Sequence, residues 1–220
     1  MKSILGRGDS LAAAGQGVDL LVIATPDAAI RSVALAVEPV EETVVMHMSG
    51  SMGLGVLDPH PRRASLHPLV PLPNADVGRV RLRSGITFAV AGDAVAGKLA
   101  HLLGGWPVVV EDDVRAAYHA AACIASNHLV ALLGQAERVA HQAGVGLDVL
   151  LALARAALDD VAELGPAEAL TGPAARGDVA TIARHRAVLD PEELAAYEAG
   201  VALATRLAHE RVETGAAKCA

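Results

Sequence analysis

Apolar positions have two textures along this chain. In the first half they gather in short unbroken runs: Val18 to Ala24 reads VDLLVIA, continuous after one acid, Thr43 to Met48 is a second run and Ile86 to Val90 a third. Such runs suit strands buried on both faces of a parallel sheet better than the alternation of a half-solvated strand. Pro26 and Asp27 stop the first run and open a helix to about Val37, Ser49-Gly50-Ser51 stops the second, and Gly92-Asp93 stops the third. Asp93 has the chemistry of an N-cap and Gly104-Gly105 that of a C-terminal stop, with Val108 to Val110 as the next strand. Strand, helix, strand at these spacings is βαβ logic.

The texture changes after Glu111-Asp112-Asp113. Residues 114–143 hold no Pro and no Gly except Gly134, and their Ala, Leu, Val and Ile keep a broad 3.6-residue register, predicting one long helix that Gly144 ends. Asp148 is placed to cap a helix to about Leu164, and Asp178 another to about Leu189. Asp190-Pro191-Glu192-Glu193 combines an N-cap acid, a first-turn proline and a capping-box glutamate, predicting a last helix to about Arg211. The reading is therefore α/β followed by all-α: an incomplete Rossmann-like parallel sheet over 1–111, then a helical domain over 112–220.

Composition narrows the functions. At 53% apolar, the chain has ample material for a core, but its aromatics are only Phe88, Trp106, Tyr118 and Tyr197, so that core is built from Ala, Leu and Val. Net charge is −7, with acids and bases interspersed, which leaves no basic stripe for a nucleic acid. Cys123 and Cys219 are too few for a disulfide framework or a zinc site. Asp159 and Asp160 project about 100° apart on a helix, which with Glu163 reads as a solvated face, and no metal is expected. No unbroken apolar stretch reaches the roughly 18 residues of a membrane span, and Arg7 and Asp9 stand where a signal peptide would be apolar, so a cytoplasmic protein with no membrane partner is expected.

A Rossmann sheet opens with a strand leading into G-x-G-x-x-G, and no such stretch precedes Val18; Gly6-Arg7-Gly8 lacks both the strand and the third glycine. The ends of the predicted strands still carry chemistry. Ala24, Thr25, Pro26 and Asp27 lie at the carboxyl end of one, where open α/β sheets bind ligands, or serve as a strand-to-helix turn whose Asp27 favours the helix N-terminus. His47, Ser49 and Gly50 end the next strand, and His67, held extended by Pro68, follows; two histidines near one edge bind a carboxylate or move a proton, or are hydrogen-bonded structural residues. On the long helix, His119, Cys123 and Ser126 recur at i, i+4 and i+7 with Asn127 beside them, forming a polar strip. Thr171, Gly172 and Pro173 run into Arg176-Gly177-Asp178, a loop with a hydroxyl, backbone N–H groups and a guanidinium that suits an anionic group or forms a structural turn.

The strings VDLLVIATPD (18–27), HMSGSMGL (47–54), SLHPL (65–69), YHAAACIASNHLVALL (118–133) and ALTGPAARGDVATIARH (169–185) together carry a likeness. In this order they resemble the Rossmann-like family of the domain of unknown function 2520, which is similar to pyrroline-5-carboxylate reductase and 6-phosphogluconate dehydrogenase. The resemblance implies an N-terminal domain binding NADP or NAD and a helical domain that pairs two copies. Cofactor contacts would come from Ala24, Thr25, Pro26, Asp27, Ser49 and Gly50, with Arg7 near the adenosine ribose. The related dehydrogenases supply a lysine and an asparagine from the long helix. Here the lysines are Lys2, Lys98 and Lys218, so His119 becomes the preferred proton donor, with Ser126 and Asn127 holding the substrate.

The function expected is NAD(P)-dependent oxidoreduction of a small C=O or C=N substrate in an interdomain cleft, bound by His47, His67, Thr171, Gly172 and Arg176. Two other readings remain: a dimeric scaffold or ligand-binding module without cofactor, and an enzyme using its histidines for acid–base work without nicotinamide. The surplus of apolar helix predicts a homodimer through the helical domain.

Overall fold

The computed structural model describes residues 3–218, with side chains for 3–211; Lys2 and Cys219, and the side chain of Lys218, lie outside the described residues. Two compact units divide between Asn127 and His128. Composition changes earlier, near 111, because the first turns of the long helix belong with the sheet.

The first unit is a five-stranded sheet in sequential order: β1 (Leu20–Ile23), β2 (Val44–His47), β3 (Arg62–Pro68), β4 (Thr87–Gly92) and β5 (Trp106–Val109). Strands β1, β2 and β3 run parallel, β4 runs antiparallel to β3, and β5 parallel to β4. A wholly parallel sheet was expected, and β3 was read only as an extended segment around His67. Its signal is hidden because its first two residues are charged: Arg62 pairs with Asp93 and donates to the Glu42 carbonyl, while Arg63 pairs with Asp58.

Helices α1 (Asp27–Ala36), α2 (Ala75–Arg81) and α3 (Val95–Leu102) flank the sheet. Asp93 accepts from the Val95 amide at 3.0 Å and so caps α3, while α2, too short to show periodicity, is capped by Asn74. One face of the sheet packs Met46, Ala64, Leu66, Phe88 and Val90 against Ala96 and Ala100 of α3. The other packs Ile23 and Val45 against Ile30 and Ala34 of α1 and Leu57. Both faces are covered, which is why β2 is a continuous apolar run up to His47.

Gly92 closes β4 at φ +77°, and a Cβ there would collide with the backbone carbonyl of Arg63. Gly92→Ala is expected to cost about 2 kcal/mol through combined backbone strain and clash, read as a lowered urea midpoint.

The long helix is α4 (Arg115–Cys123), a π-helical turn (Ile124–His128) and α5 (Leu129–His141). The even 3.6-residue register expected over 114–143 is thus interrupted, since a π turn takes in an extra residue and rotates everything beyond it. Among the described residues the helix 115–141 is long and apolar enough, by length and composition alone, to cross a membrane, although it holds no unbroken apolar stretch of that length.

The second unit continues with α6 (Leu147–Leu164), α7 (Pro166–Ala169), α8 (Gly172–Ala175), α9 (Val179–Val188) and α10 (Pro191–Lys218). Asp178 caps α9, accepting from the Thr181 amide at 3.0 Å. Gly146 rather than Asp148 stands at the N-cap of α6, with no side-chain bond. Glu193 forms no capping box: its carboxylate takes the Arg138 guanidinium from α5, a stronger partner than an amide. On α9, His185 and Arg186 reach Tyr197 and Glu198 of α10.

Candidate functional site

Two periodicities build the site in the first unit. Along β3, Ser65 and His67 are two residues apart and share a face, which His47 joins because it pairs with Ser65 in register. Their partners on β4 are Ala91 and Ala89, small enough to leave room above the sheet. Along α4, Arg115, Tyr118 and His119 lie at i, i+3 and i+4, again one face.

Those two faces meet. The fully buried Arg115 donates to Ser65 Oγ at 2.5 Å, to the Val110 carbonyl at 3.3 Å and to the Ser49 carbonyl at 3.4 Å. Its Nε stands 3.7 Å from Asp112, which also accepts from the Leu54 amide at 2.8 Å. Tyr118 Oη is 2.8 Å from His67 Nδ1. The His119 ring stands edge-on to His67, centroids 6.0 Å apart, with Cys123 Sγ 3.9 Å from its ring nitrogens. Gly50 makes this approach possible: a Cβ there would lie 2.6 Å from His119 Cδ2 and 2.8 Å from His67 Nε2.

The neighbouring turn is polar too. Ser49 and Ser51 both donate to Asp27 Oδ2, at 2.8 and 2.7 Å. Burial raises the Asp27 carboxyl, but the hydroxyls of Ser51 and Ser49, with His119 and His47 beyond them, bring it below its ordinary value. Thr25 Oγ1, at the end of β1, is buried without a partner.

His47 accepts from the Ser49 amide on Nδ1 at 3.2 Å, and its buried Nε2 closes no hydrogen bond. Burial lowers its pKa to about 4, helped by Arg115 and opposed by the Gly53 carbonyl, Asp112 and Asp27. The unfolded imidazole titrates near 6.5, so between that pH and about 4 the unfolded chain takes up a proton that the fold refuses. The contribution of His47 is complete above pH 6.5 and is lost as pH falls towards 4. Thermal scans at pH 7 and 4.5 are expected to show a falling midpoint, with a smaller fall in His47→Gln.

The site residues expected from sequence are thus distributed as follows. Asp27, His47, Ser49, Gly50, His67 and His119 come together at the carboxyl edge of β1 to β3, with Thr25 at its margin and Ala24 and Pro26 exposed beside it. Arg7 is exposed in the segment before β1, Ser126 is half-buried and Asn127 exposed within the π turn. Thr171, Gly172 and Arg176 are in the second unit, where Gly172 begins α8 and the other two are exposed. A shallow, mainly apolar cavity of about 380 Å³ lies there beside α8, lined by Ala174, Ala175, Val179, Ile182 and Val201.

Arg115, Asp112, Tyr118, Ser51 and Ser65 were not anticipated. Arg115 alone carried a signal, as the one cation opening an otherwise apolar helix. Among the described residues no three His, Cys, Asp or Glu side chains are arranged to hold a metal ion.

Residues 85–204 match the family model described as Domain of unknown function (DUF2520). No curated protein matches. Among solved structures, protein TM1727 of Thermotoga maritima is similar over 86% of this chain and 78% of its own, at 27% identity and a TM-score of 0.69. Protein BF3122 of Bacteroides fragilis is similar over 89% and 75%, at 21% identity and 0.67. The reductive aminase of Aspergillus terreus, solved with NADPH4, cyclohexanone and allyl amine, is similar over 89% and 76%, at 16% identity and 0.64. With these structures the chain shares a fold, a mostly parallel Rossmann-like sheet flanked by helices and followed by a helical C-terminal region.

Proposed function

This chain belongs to the family defined by the domain of unknown function 2520, and from that premise we propose that it is an NAD(P)-dependent oxidoreductase acting on a small C=O or C=N substrate. The observation that carries this reading is the meeting of His67, Tyr118 and His119 over Gly50, at the sheet edge where α/β folds bind ligands. His119 is the proton donor to the developing alkoxide or amine, its ring kept in place by His67 and Cys123.

The cofactor fits these residues in part. Thr25 offers an unpartnered buried hydroxyl, and Asp27, held by Ser49 and Ser51 through Oδ2, offers a carboxylate acceptor suited to a ribose hydroxyl or a carboxamide N–H. Ala24, Pro26 and Gly50 complete that wall. The G-x-G-x-x-G turn that cradles a pyrophosphate in such folds does not occur in the sequence, and α1 opens on Asp27, which offers a phosphate no favourable contact. Residues present therefore suit the nicotinamide half; when bound, a reduced nicotinamide supplies the hydride, and this chain's side chains supply orientation and the proton.

The test is to titrate the 220-residue chain with NADPH and NADH while following thermal stability. A saturable rise supports the reading. No response at millimolar concentration favours instead the cofactor-free ligand-binding module.

The second unit pairs with a second copy in this proposal. Within it α5 and α6 bury no residue, and Val130, Leu132, Val149, Leu153 and Leu158 are all more than half exposed. Surfaces that apolar on long helices call for a covering partner. Leu153→Glu is expected to convert a dimer to a monomer in sedimentation velocity; a wild-type monomer, or a dimer that ignores the charge, contradicts this.

A further inference from the structure

We propose that His67 recognises the substrate, presenting the N–H of its outward nitrogen Nε2 to an uncharged acceptor, a carbonyl oxygen or imine nitrogen, while Tyr118 fixes its tautomer. This deepens the function proposed above and rests on it for the identity of the reacting group.

Hydrogen-bond partners decide the tautomer. His67 and Tyr118 are both half-buried, with Tyr118 Oη 2.8 Å from His67 Nδ1 and the rings edge to face at 84°. Burial pushes the Tyr118 phenol up, against the pull of Arg115, so it keeps its proton at neutral pH. Burial lowers His67, as do His119 and Arg115 from α4, with Asp27 from α1 opposing, so the imidazole stays neutral. A neutral imidazole holds one N–H, and two tautomers are available. With the proton on Nδ1, the phenol would accept from His67 and its own O–H would need a second acceptor, which no described residue provides. With the proton on Nε2, the phenol, the more acidic donor of the two, gives its O–H to Nδ1, the more basic acceptor, which makes the stronger bond and leaves Nε2–H as the one donor over.

Nε2–H then has no protein partner among the described residues. It lies beside the Gly50 backbone, where an added Cβ would come within 2.8 Å, and next to the His119 ring, and it is not among the buried atoms left without a partner. The charges around Nε2 select what it binds. The Arg115 guanidinium is engaged by Ser65, Ser49, Val110 and Asp112, while Asp27 keeps its negative charge at the same edge. A carboxylate meets one neutral donor and a nearby like charge; a ketone or imine meets the donor alone. Tyr118 is a positioning residue here, and His67 the group that touches substrate. A neutral imidazole polarising a carbonyl is a sound catalytic device at pH 7, since its donor strength does not depend on a labile extra proton.

Long-range proton–nitrogen NMR of the ¹⁵N-labelled full chain at pH 7 tests this, with cyclopentanone and cyclopentanecarboxylate as paired probes. The expected result is a protonated Nε2 and bare Nδ1 on His67, and a saturable Nε2 shift with the ketone at a concentration about tenfold below that needed for the carboxylate. Tyr118→Phe is expected to mix the tautomers and weaken ketone binding several-fold, and His67→Phe to weaken it about tenfold. A proton on Nδ1, a doubly protonated ring, or equal binding of the two probes overturns the proposal. Should Tyr118→Phe fail to fold, the wild-type tautomer and the probe preference decide alone. Neither readout uses nicotinamide, so a chain that binds the ketone through His67 yet never oxidises NADPH refutes the oxidoreductase reading and leaves this one standing.

Discussion

His119→Ala is expected to lower turnover of a C=O or C=N substrate by about 100-fold, the usual loss when a positioned general acid is removed. The effect should fall on kcat, because the proton is needed as charge develops and not when substrate binds. His119 is half-buried and makes only weak contacts, with Cys123 at 3.9 Å and the His67 ring edge-on. Its removal should therefore leave the melting temperature within a few degrees of wild type. A chain that melts normally but has lost its rate identifies an acid; one that keeps its rate removes His119 from the mechanism and transfers attention to Tyr118, the neighbouring hydroxyl on that face of α4.

Arg115→Met is expected to destabilise the first unit by about 3 kcal/mol, the largest single stability effect in this account. Arg115 is 1% exposed and satisfies Ser65 Oγ and the carbonyls of Val110 and Ser49. Methionine fills the volume and satisfies none of them. Because the cation also anchors Asp112, whose other bond is to the Leu54 amide, the loss should spread to the segment after β2. Denaturant unfolding measures the cost. A fall below about 1 kcal/mol would mean that water replaces the guanidinium and that the network does not fix the turn carrying Ser49 and Gly50.

Much of this was legible in the amino-acid order. Unbroken apolar runs located β1, β2 and β4; in β2 and β4 burial on both faces removes any need for alternation, while β1, at the sheet edge, is apolar with Val22 exposed. Asp93 and Asp178 were read correctly as caps from a side chain that can accept an amide proton. What failed had specific causes. The charged start of β3 is solvated at its own end of the strand, which hid both the strand and its antiparallel pairing with β4. Asp148 and Glu193 looked like caps, but sequence spacing does not reveal a backbone glycine already at the turn, or an arginine from another helix that binds the carboxylate better. Periodicity placed His119 and Ser126 on one strip, and the π turn at Ile124–His128 then interrupts it.

The candidate site was legible in its strand-end residues and illegible in what ties them together. His47, Ser49, Gly50 and His67 could be named because they end predicted strands. Tyr118 and Arg115 could not, since their roles exist only once α4 lies across β3, and a buried arginine resembles a surface one in sequence. The tautomer of His67 is further removed still: it follows from a single hydroxyl 2.8 Å away.

Residue-resolved amide NMR of the full chain during an NADPH titration tests the central claim most directly. Saturable shifts are expected at Thr25, Asp27, Ser49 to Ser51, His67 and His119, at one edge of the sheet. Shifts confined to other surfaces, or none at millimolar NADPH, would contradict it.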